Sequence, residues 1–94
     1  MRTLQRIRQR VLDRRYFLSQ HGEDEMFADN LERADVEHAI LQGQIDKKLS
    51  RDARGTRYRV VGPALDGRPM AVICRVHETG DLIIITVYTK GSPT

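Results

Sequence analysis

The 94-residue chain lacks the features that define several large classes of protein. Its one cysteine, Cys74, excludes an internal disulfide, and one thiol alone does not make a metal site. No apolar run approaches the ~18–20 residues that cross a bilayer, and the N-terminus has no apolar segment typical of a secretory signal. No glycine-rich phosphate loop, nucleophile elbow or metalloprotease helix motif occurs. We therefore expect a cytoplasmic protein with no membrane association, no metal and no cofactor.

The charges are unevenly distributed along a chain whose composition is that of an ordinary globular domain, with 39% hydrophobic and 31% charged residues. Residues 1–15 hold six arginines and one aspartate, and residues 23–37 hold seven acids and one arginine. Residues 47–59 are again basic, with six cationic residues and one aspartate. Such blocks can neutralise one another within the fold or leave a basic face for phosphate, and the sequence leaves both outcomes open.

Three helices are predicted in the first half of the chain. The first lies within residues 1–15, where one apolar stripe is formed by Leu4, Ile7, Val11 and Leu12. A short strand, "YFLSQ" (16–20), precedes a second helix in the acidic stretch "HGEDEMFADNL". The third helix is "ERADVEHAILQG", with Asp35 as its expected N-cap and Gly43 at its end.

The basic first helix has three interpretations. It can pack its apolar stripe within the chain with its arginines facing the acids of the other helices, present the stripe to a partner chain, or lie on nucleic acid. Small domains need every apolar stripe for their core, which favours packing within the chain.

Three strands are predicted in the second half, over residues 56–62, 69–77 and 82–89. Turn signals in "GPALDGRP" and "ETGD" join them, so an antiparallel meander is expected. The polar residues 44–55 have no regular period and are interpreted as a surface connection. Residues 91–94 are expected to be a frayed tail. Together the elements predict one α+β domain over residues 1–94.

Strict alternation along the three strands divides their side chains between two faces. One face is apolar and must receive the helices; it contains Tyr58, Val60, Met70, Val72, Cys74, Val76, Ile83, Ile85 and Val87. The opposite face has an apolar centre with a rim of arginine, histidine and tyrosine; it contains Arg57, Arg59, Val61, Ala71, Ile73, Arg75, His77, Ile84, Thr86 and Tyr88. Helices on one side leave this second face open, and it is the natural place for a functional site.

The second face carries candidates for nucleic-acid binding: Arg57, Arg59, Arg75 and His77. Guanidinium groups bind phosphate bidentately, and Tyr88 can stack on a base or polarise a phosphate oxygen. An imidazole can act as a general acid or base, so His77 is a candidate for acid–base catalysis. The alternative is a solvated sheet face with a hairpin histidine. His21, where strand gives way to helix, is either a second acid–base group or a helix cap.

Four stretches carry a family resemblance: "YFLSQHGEDEM", "ADVEHAILQGQI", "RYRVVGPALDGRPMAVICRV" and "LIIITVYTK". They resemble a bacterial family known as a domain of unknown function, over residues 16–90, with the helix at 1–15 outside it. That family is similar to the RelE/ParE-like toxins of toxin–antitoxin pairs. The resemblance implies a short first strand, then two helices on one face of a three- or four-stranded antiparallel sheet. It also implies messenger RNA cleavage by catalytic residues at the positions of Arg59, Arg75, Tyr88, Lys90 and His21.

Three functional hypotheses remain open at this point. The first is a toxin-like ribonuclease that uses the RNA 2′-hydroxyl as nucleophile, with Arg59 and Arg75 stabilising the phosphate and Tyr88, Lys90 or His77 moving protons. A cognate antitoxin would then cover the basic face. The second is a non-catalytic module that binds RNA or an acidic protein. The third is a structural homo-oligomer, a homodimer for example, joined through the first helix or a sheet edge.

Overall fold

The computed structural model describes residues 2–52 and 55–90 and has an α+β architecture of three helices and a five-stranded mixed sheet. The helices are α1 (Arg2–Leu12), α2 (Gln20–Ala28) and α3 (Arg33–Gln42). The strands are β1 (Tyr16–Leu18), β2 (Gln44–Asp52), β3 (Gly55–Pro63), β4 (Pro69–Val76) and β5 (Leu82–Thr89). Their spatial order is β1-β5-β4-β3-β2, in which β1 runs parallel to β5 and every other pair is antiparallel.

The predicted meander is confirmed as β3-β4-β5, but the predicted surface connection at residues 44–55 is wrong. Residues Gln44–Asp52 form β2, which pairs with β3 at the edge of the sheet. The strand is polar, and two register shifts interrupt its alternation, so neither hydrophobicity nor period 2 marks it in the sequence. The expected frayed tail at residues 91–94 lies outside the described residues.

Helix α1 packs within the chain, because Leu4, Ile7 and Val11 are buried in the main apolar core. Leu12, predicted to belong to the same stripe, is instead 60% exposed. At least one α1 arginine binds carbonyls at the end of α3 rather than the acids expected from the charge blocks. Arg8 donates from Nη2 to the Gly43 carbonyl at 2.6 Å. This contact satisfies a group that a helix C-terminus leaves unpaired.

Helices α2 and α3 both begin at polar N-cap residues. Ser19 caps α2, its Oγ accepting the Gly22 N–H at 3.0 Å. The expectation that Asp35 is the N-cap of α3 is wrong, because Glu32 occupies that position. Asp35 lies one turn further on, where its carboxylate accepts the Glu32 N–H at 2.9 Å and the Leu65 N–H at 2.9 Å. Its role is therefore to join the start of α3 to the β3–β4 turn.

The end of α3 approaches β3 closely enough to require glycine on both sides. A Cβ on Gly62 would overlap the Ala39 carbonyl oxygen, and a Cβ on Gly43 would overlap the carbonyl oxygens of Val61 and Ala39. These are backbone atoms, which cannot swing away as the end of a flexible side chain can. The two glycines thus hold α3 against the sheet.

The apolar face of the sheet is confirmed on β3 and β4 but differs on β5. Cross-strand pairs run from Ile73↔Thr86 directly to Cys74↔Ile84, so Ile85 is an extra residue in a β-bulge. On the N-terminal side of the bulge the alternation is therefore the reverse of the predicted one. As a result, Leu82, Ile84 and Val87 are the β5 residues buried in the core. The predicted burial of Ile83 and Ile85 in this core is therefore wrong, as is the placement of Ile84 on the opposite face.

All three helices contribute to the core on this first face. The second face of the sheet is here named the open face. Its members, placed by alternation and register, are Phe17, Arg57, Arg59, Val61, Ala71, Ile73, Arg75, Ile83, Thr86 and Tyr88.

Helix α2 covers the part of β5 that β1 leaves unpaired. Strand β1 pairs only as far as Ile84. Beyond it, Glu25 Oε1 accepts the Val87 N–H at 3.1 Å, and Asp29 Oδ2 accepts the Thr89 N–H at 3.1 Å. Carboxylates of α2 and of its C-cap residue, Asp29, therefore replace a neighbouring strand and protect this edge of the sheet.

Candidate nucleic-acid interface

Three of the predicted site residues meet at one end of the open face, together with an aspartate that sequence reasoning missed. Arg59 donates from Nε and Nη2 to the two carboxylate oxygens of Asp46, at 2.8 and 2.9 Å. Its Nη1 donates to the Tyr88 hydroxyl at 3.4 Å. Lys90 Nζ lies 3.8 Å from Asp46 Oδ2. These four residues are named the Asp46 cluster.

Asp46 reaches this position because of a bulge in β2. Ile45 pairs with Val60, and the next pair is Lys47 with Arg59, so Asp46 is the extra residue between them. Ile45 packs against the core, and the bulge directs the following carboxylate to the arginine on the neighbouring strand. Bulges commonly re-aim side chains beside active sites. The sequence carries no signal for the bulge in β2, because the strand itself was not predicted.

The Arg59–Asp46 pair stays charged over the whole physiological range. The hydrogen bonds from Arg59 hold the pKa of Asp46 below its ordinary value, and the positive charges of Arg59 and Lys90 act in the same direction. The hydrogen bond to the Asp46 carboxylate raises the pKa of Arg59, and the hydrogen bond to the Tyr88 hydroxyl adds to this effect. Two cations and one carboxylate leave a net positive charge. Both members of the bidentate pair are partly open to solvent, with about a quarter of each side chain accessible (26% for Arg59 and 28% for Asp46).

Arg57 and Arg75 extend the positive surface away from the cluster. Tyr58 pairs with Cys74, so Arg57 and Arg75, the residues flanking that pair, lie side by side on β3 and β4. Ile73, the partner of Arg59, precedes Arg75 by two residues, which is about 7 Å along a strand. The three arginines therefore form one track across the open face.

His77 lies at the far end of this face. Tyr88 pairs with Ala71, six residues before His77 along the chain, a separation of about 20 Å at strand rise. The Thr79 N–H donates to His77 Nδ1 at 3.2 Å, which fixes the ring in the hairpin after β4. The structure thus separates His77 from the Asp46 cluster.

His21 is also apart from the cluster. It lies in the first turn of α2, on the helical side of the sheet, with a side chain that is 66% exposed. Its Nε2 is 3.2 Å from Glu25 Oε1, the oxygen that also accepts the Val87 N–H. The structure therefore groups Arg59, Tyr88 and Lys90, places Arg75 next to them, and leaves both histidines elsewhere.

The chemical capacity of the open face follows from these positions. Guanidinium and ammonium groups bind phosphate, and a phenol and an amine can transfer protons. Within residues 2–52 and 55–90, no three His, Cys, Asp or Glu side chains come together as metal ligands. None of the described helices is long and apolar enough to span a membrane.

The fold and this surface define a small α+β protein with helices on one sheet face and an arginine-rich site on the other. The model of a family described as "Domain of unknown function (DUF4258)" matches residues 18–89, and the chain belongs to that family. The expected membership of a family of unknown function is thereby confirmed, with α1 outside the matched region as predicted. Searches of curated proteins and of solved structures found no match.

Proposed function

We propose that this protein is a toxin-like ribonuclease that cleaves messenger RNA on its open face, related to the RelE/ParE-like toxins. The observation that supports this proposal is the Asp46 cluster, in which two cations and a phenol converge beside a track of arginines. The arrangement of helices on one sheet face and a basic site on the other agrees with that relationship. A cognate antitoxin with acidic groups is the partner that such a surface would take.

The proposed reaction uses the RNA's own 2′-hydroxyl. The 2′-oxygen attacks the adjacent phosphorus, the P–O2′ bond forms and the P–O5′ bond breaks. The products are a 2′,3′-cyclic phosphate and a free 5′-hydroxyl. Arg59 and Arg75 stabilise the pentacoordinate phosphate, whose charge grows in the transition state. In this proposal, Tyr88 and Lys90 take the proton from the 2′-oxygen and supply one to the leaving 5′-oxygen.

Asp46 is a positioning residue in this proposal. It binds two nitrogens of Arg59 and so fixes the plane of the guanidinium, while Nη1 points to Tyr88. Preorganised donors stabilise a transition state better than mobile ones, because they need not reorient during the reaction.

A second candidate is a non-catalytic RNA-binding module. The observation that favours it is the same bidentate pair, because Asp46 already occupies the Nε/Nη2 edge of Arg59 that would otherwise grip a phosphate. In that case the open face binds RNA through electrostatics and stacking, and no strand is cut.

Expression in bacteria separates the two candidates. Induction of the wild type should arrest growth and produce RNA fragments with cyclic phosphate ends, and Tyr88→Phe should abolish both effects. Tyr58→Phe is the matched control, because Tyr58 packs against the core on the opposite face of the sheet. Growth and intact RNA with the wild type would refute the ribonuclease and favour the binding module. Equal RNA cleavage by Tyr88→Phe and the wild type would remove Tyr88 from the mechanism.

A further inference from the structure

A cavity of about 340 Å³ lies at the far end of the open face, away from the Asp46 cluster. Its lining consists of Phe17, His77, Thr79, Asp81 and Ile83. Phe17 pairs with Ile83 and is 59% exposed, while the residues on either side of it, Tyr16 and Leu18, pack on the core. Alternation along β1 therefore presents an aromatic ring to the open face. The size is within the usual range of small-molecule sites.

The walls of this cavity combine an aromatic face with a polar rim. His77 Nδ1 accepts the Thr79 N–H, so the neutral ring carries its hydrogen on Nε2 and can donate it. The Thr79 hydroxyl and the Asp81 carboxylate supply further polar groups, and Asp81 is held by Arg15 Nε at 3.0 Å. A nucleobase has the matching form, with two π-faces and a hydrogen-bonding edge.

We propose that this cavity is a nucleobase pocket, in which one base of a single-stranded RNA stacks on Phe17 and presents its edge to His77. Arg75 pairs with Ile83, on the floor of the pocket, and lies four residues from Ala71, the partner of Tyr88. The pocket is thus about 13 Å along β4 from the Asp46 cluster. Arg75 lies between them, where the connecting phosphates would run. The inference rests on the proposed function and adds a site that selects the base.

The lining decides between a base and a protein side chain as the occupant. The ring of Phe17 offers a π-face, and His77, Thr79 and Asp81 offer polar groups beside it. An aromatic face with a polar rim suits a base better than an aliphatic side chain.

The test uses 2′-O-methyl oligonucleotides, which cannot be cut because their 2′-oxygen has no proton and cannot attack. Affinities of labelled homopolymers of each base are measured by fluorescence anisotropy for the wild type and three variants. Phe17→Leu keeps an apolar side chain but removes the ring, and should weaken binding by about 5- to 150-fold, the value of one base–aromatic stack. Phe17→Tyr should stay within about twofold. Phe27→Leu is the matched control, since Phe27 is 83% exposed on α2, away from this face, and should bind as the wild type does.

The outcomes distinguish the pocket from the ribonuclease. A selective loss in Phe17→Leu supports the pocket even when the wild type cuts no cleavable RNA, a result that would refute only the proposed reaction. Equal affinities of the wild type and Phe17→Leu for every oligonucleotide overturn the pocket, whether or not cleavage occurs. Absence of any oligonucleotide binding by the wild type also overturns it. Unfolding curves of all four proteins confirm that the comparison is made between folded chains.

Discussion

The substitution Asp46→Asn separates RNA affinity from RNA cleavage, because it removes a charge and keeps the shape of the side chain. Asparagine retains one acceptor oxygen for Arg59 but has no negative charge and cannot accept both guanidinium hydrogen bonds. In the wild type, the Asp46 carboxylate competes with phosphate for Arg59. Its loss in the variant should therefore tighten RNA binding. The guanidinium is less firmly oriented, so the chemical step should be slower.

The size of the affinity change follows from the charges on the open face. In the Asp46 cluster, Arg59 and Lys90 face the carboxylate of Asp46, a net charge of one that the substitution raises to two. Each neutralised phosphate of a single strand contributes about 0.7 to the slope of log affinity against log salt. The slope should therefore steepen by about 0.7, equivalent to about fivefold tighter binding at 0.1 M salt. Loss of orientation should reduce kcat by about 10- to 100-fold.

Two measurements test this split. Anisotropy titrations with an uncleavable oligonucleotide at several salt concentrations give the slope, and turnover of a cleavable RNA gives kcat. The control is Asp66→Asn, because Asp66 also pairs with an arginine, Arg68, at 2.8 Å, and that arginine binds the end of α2 on the helical side of the sheet. Weaker binding by Asp46→Asn, or a slope equal to that of the wild type, would refute the assigned role of Asp46.

Three further predictions concern the scaffold. Gly62→Ala should lower the free energy of unfolding by about 2 kcal/mol, and Tm by about 10 °C, because the added Cβ overlaps the Ala39 carbonyl. The control is Gly22→Ala, where the nearest atoms are 3.4 Å from the added Cβ, and its free energy of unfolding should change by less than about 1 kcal/mol. Thermal melts of the two variants and the wild type test this prediction. Ser19→Ala should cost about 1–2 kcal/mol in urea unfolding, since the hydroxyl caps α2 and also donates to the β5 bulge; a loss below about 0.3 kcal/mol would contradict this. Burial raises the pKa of Cys74 from 9.0 to about 12, so the folded thiol should resist alkylation at pH 9. The stability that the protonated thiol contributes is fully present below pH 9.0 and should decline as the pH rises towards 12. Cys74→Val has no thiol and should not show this decline. Rapid alkylation of the folded wild type would refute the burial of Cys74.

Periodic apolar spacing predicted the parts of the fold in which one face is buried. Leu4, Ile7 and Val11 of the α1 stripe and the alternation of β3 and β4 are such cases, and the structure confirms their burial. Strand β2 was not predicted, because an edge strand made of polar residues has neither an apolar helical stripe nor an alternation of apolar and polar residues. On β5, alternation failed at Ile85, where one extra residue shifts the register by one and exchanges the two faces before it.

The same limits apply to the candidate site. Arg59 and Tyr88 were placed correctly on one face, because the β3-β4-β5 pairing and the period of 2 suffice to bring them together. Asp46 could not be predicted, since its position depends on an unrecognised strand and on a bulge within it. The resemblance, and the position of His21 where strand gives way to helix, suggest it as a site residue, but the structure places it on the far side of the sheet from Tyr88.

Cleavage of RNA by the purified protein in the presence of EDTA tests the central claim most directly. The substrates are an RNA and the same strand with a 2′-deoxy residue at the cut position, and the enzymes are the wild type and Tyr88→Phe. The mechanism predicts a 2′,3′-cyclic phosphate and a 5′-hydroxyl from the RNA with the wild type, and no cut at the deoxy position or with the variant. Cleavage of the deoxy position, or intact RNA after prolonged incubation with folded wild-type protein, would contradict it.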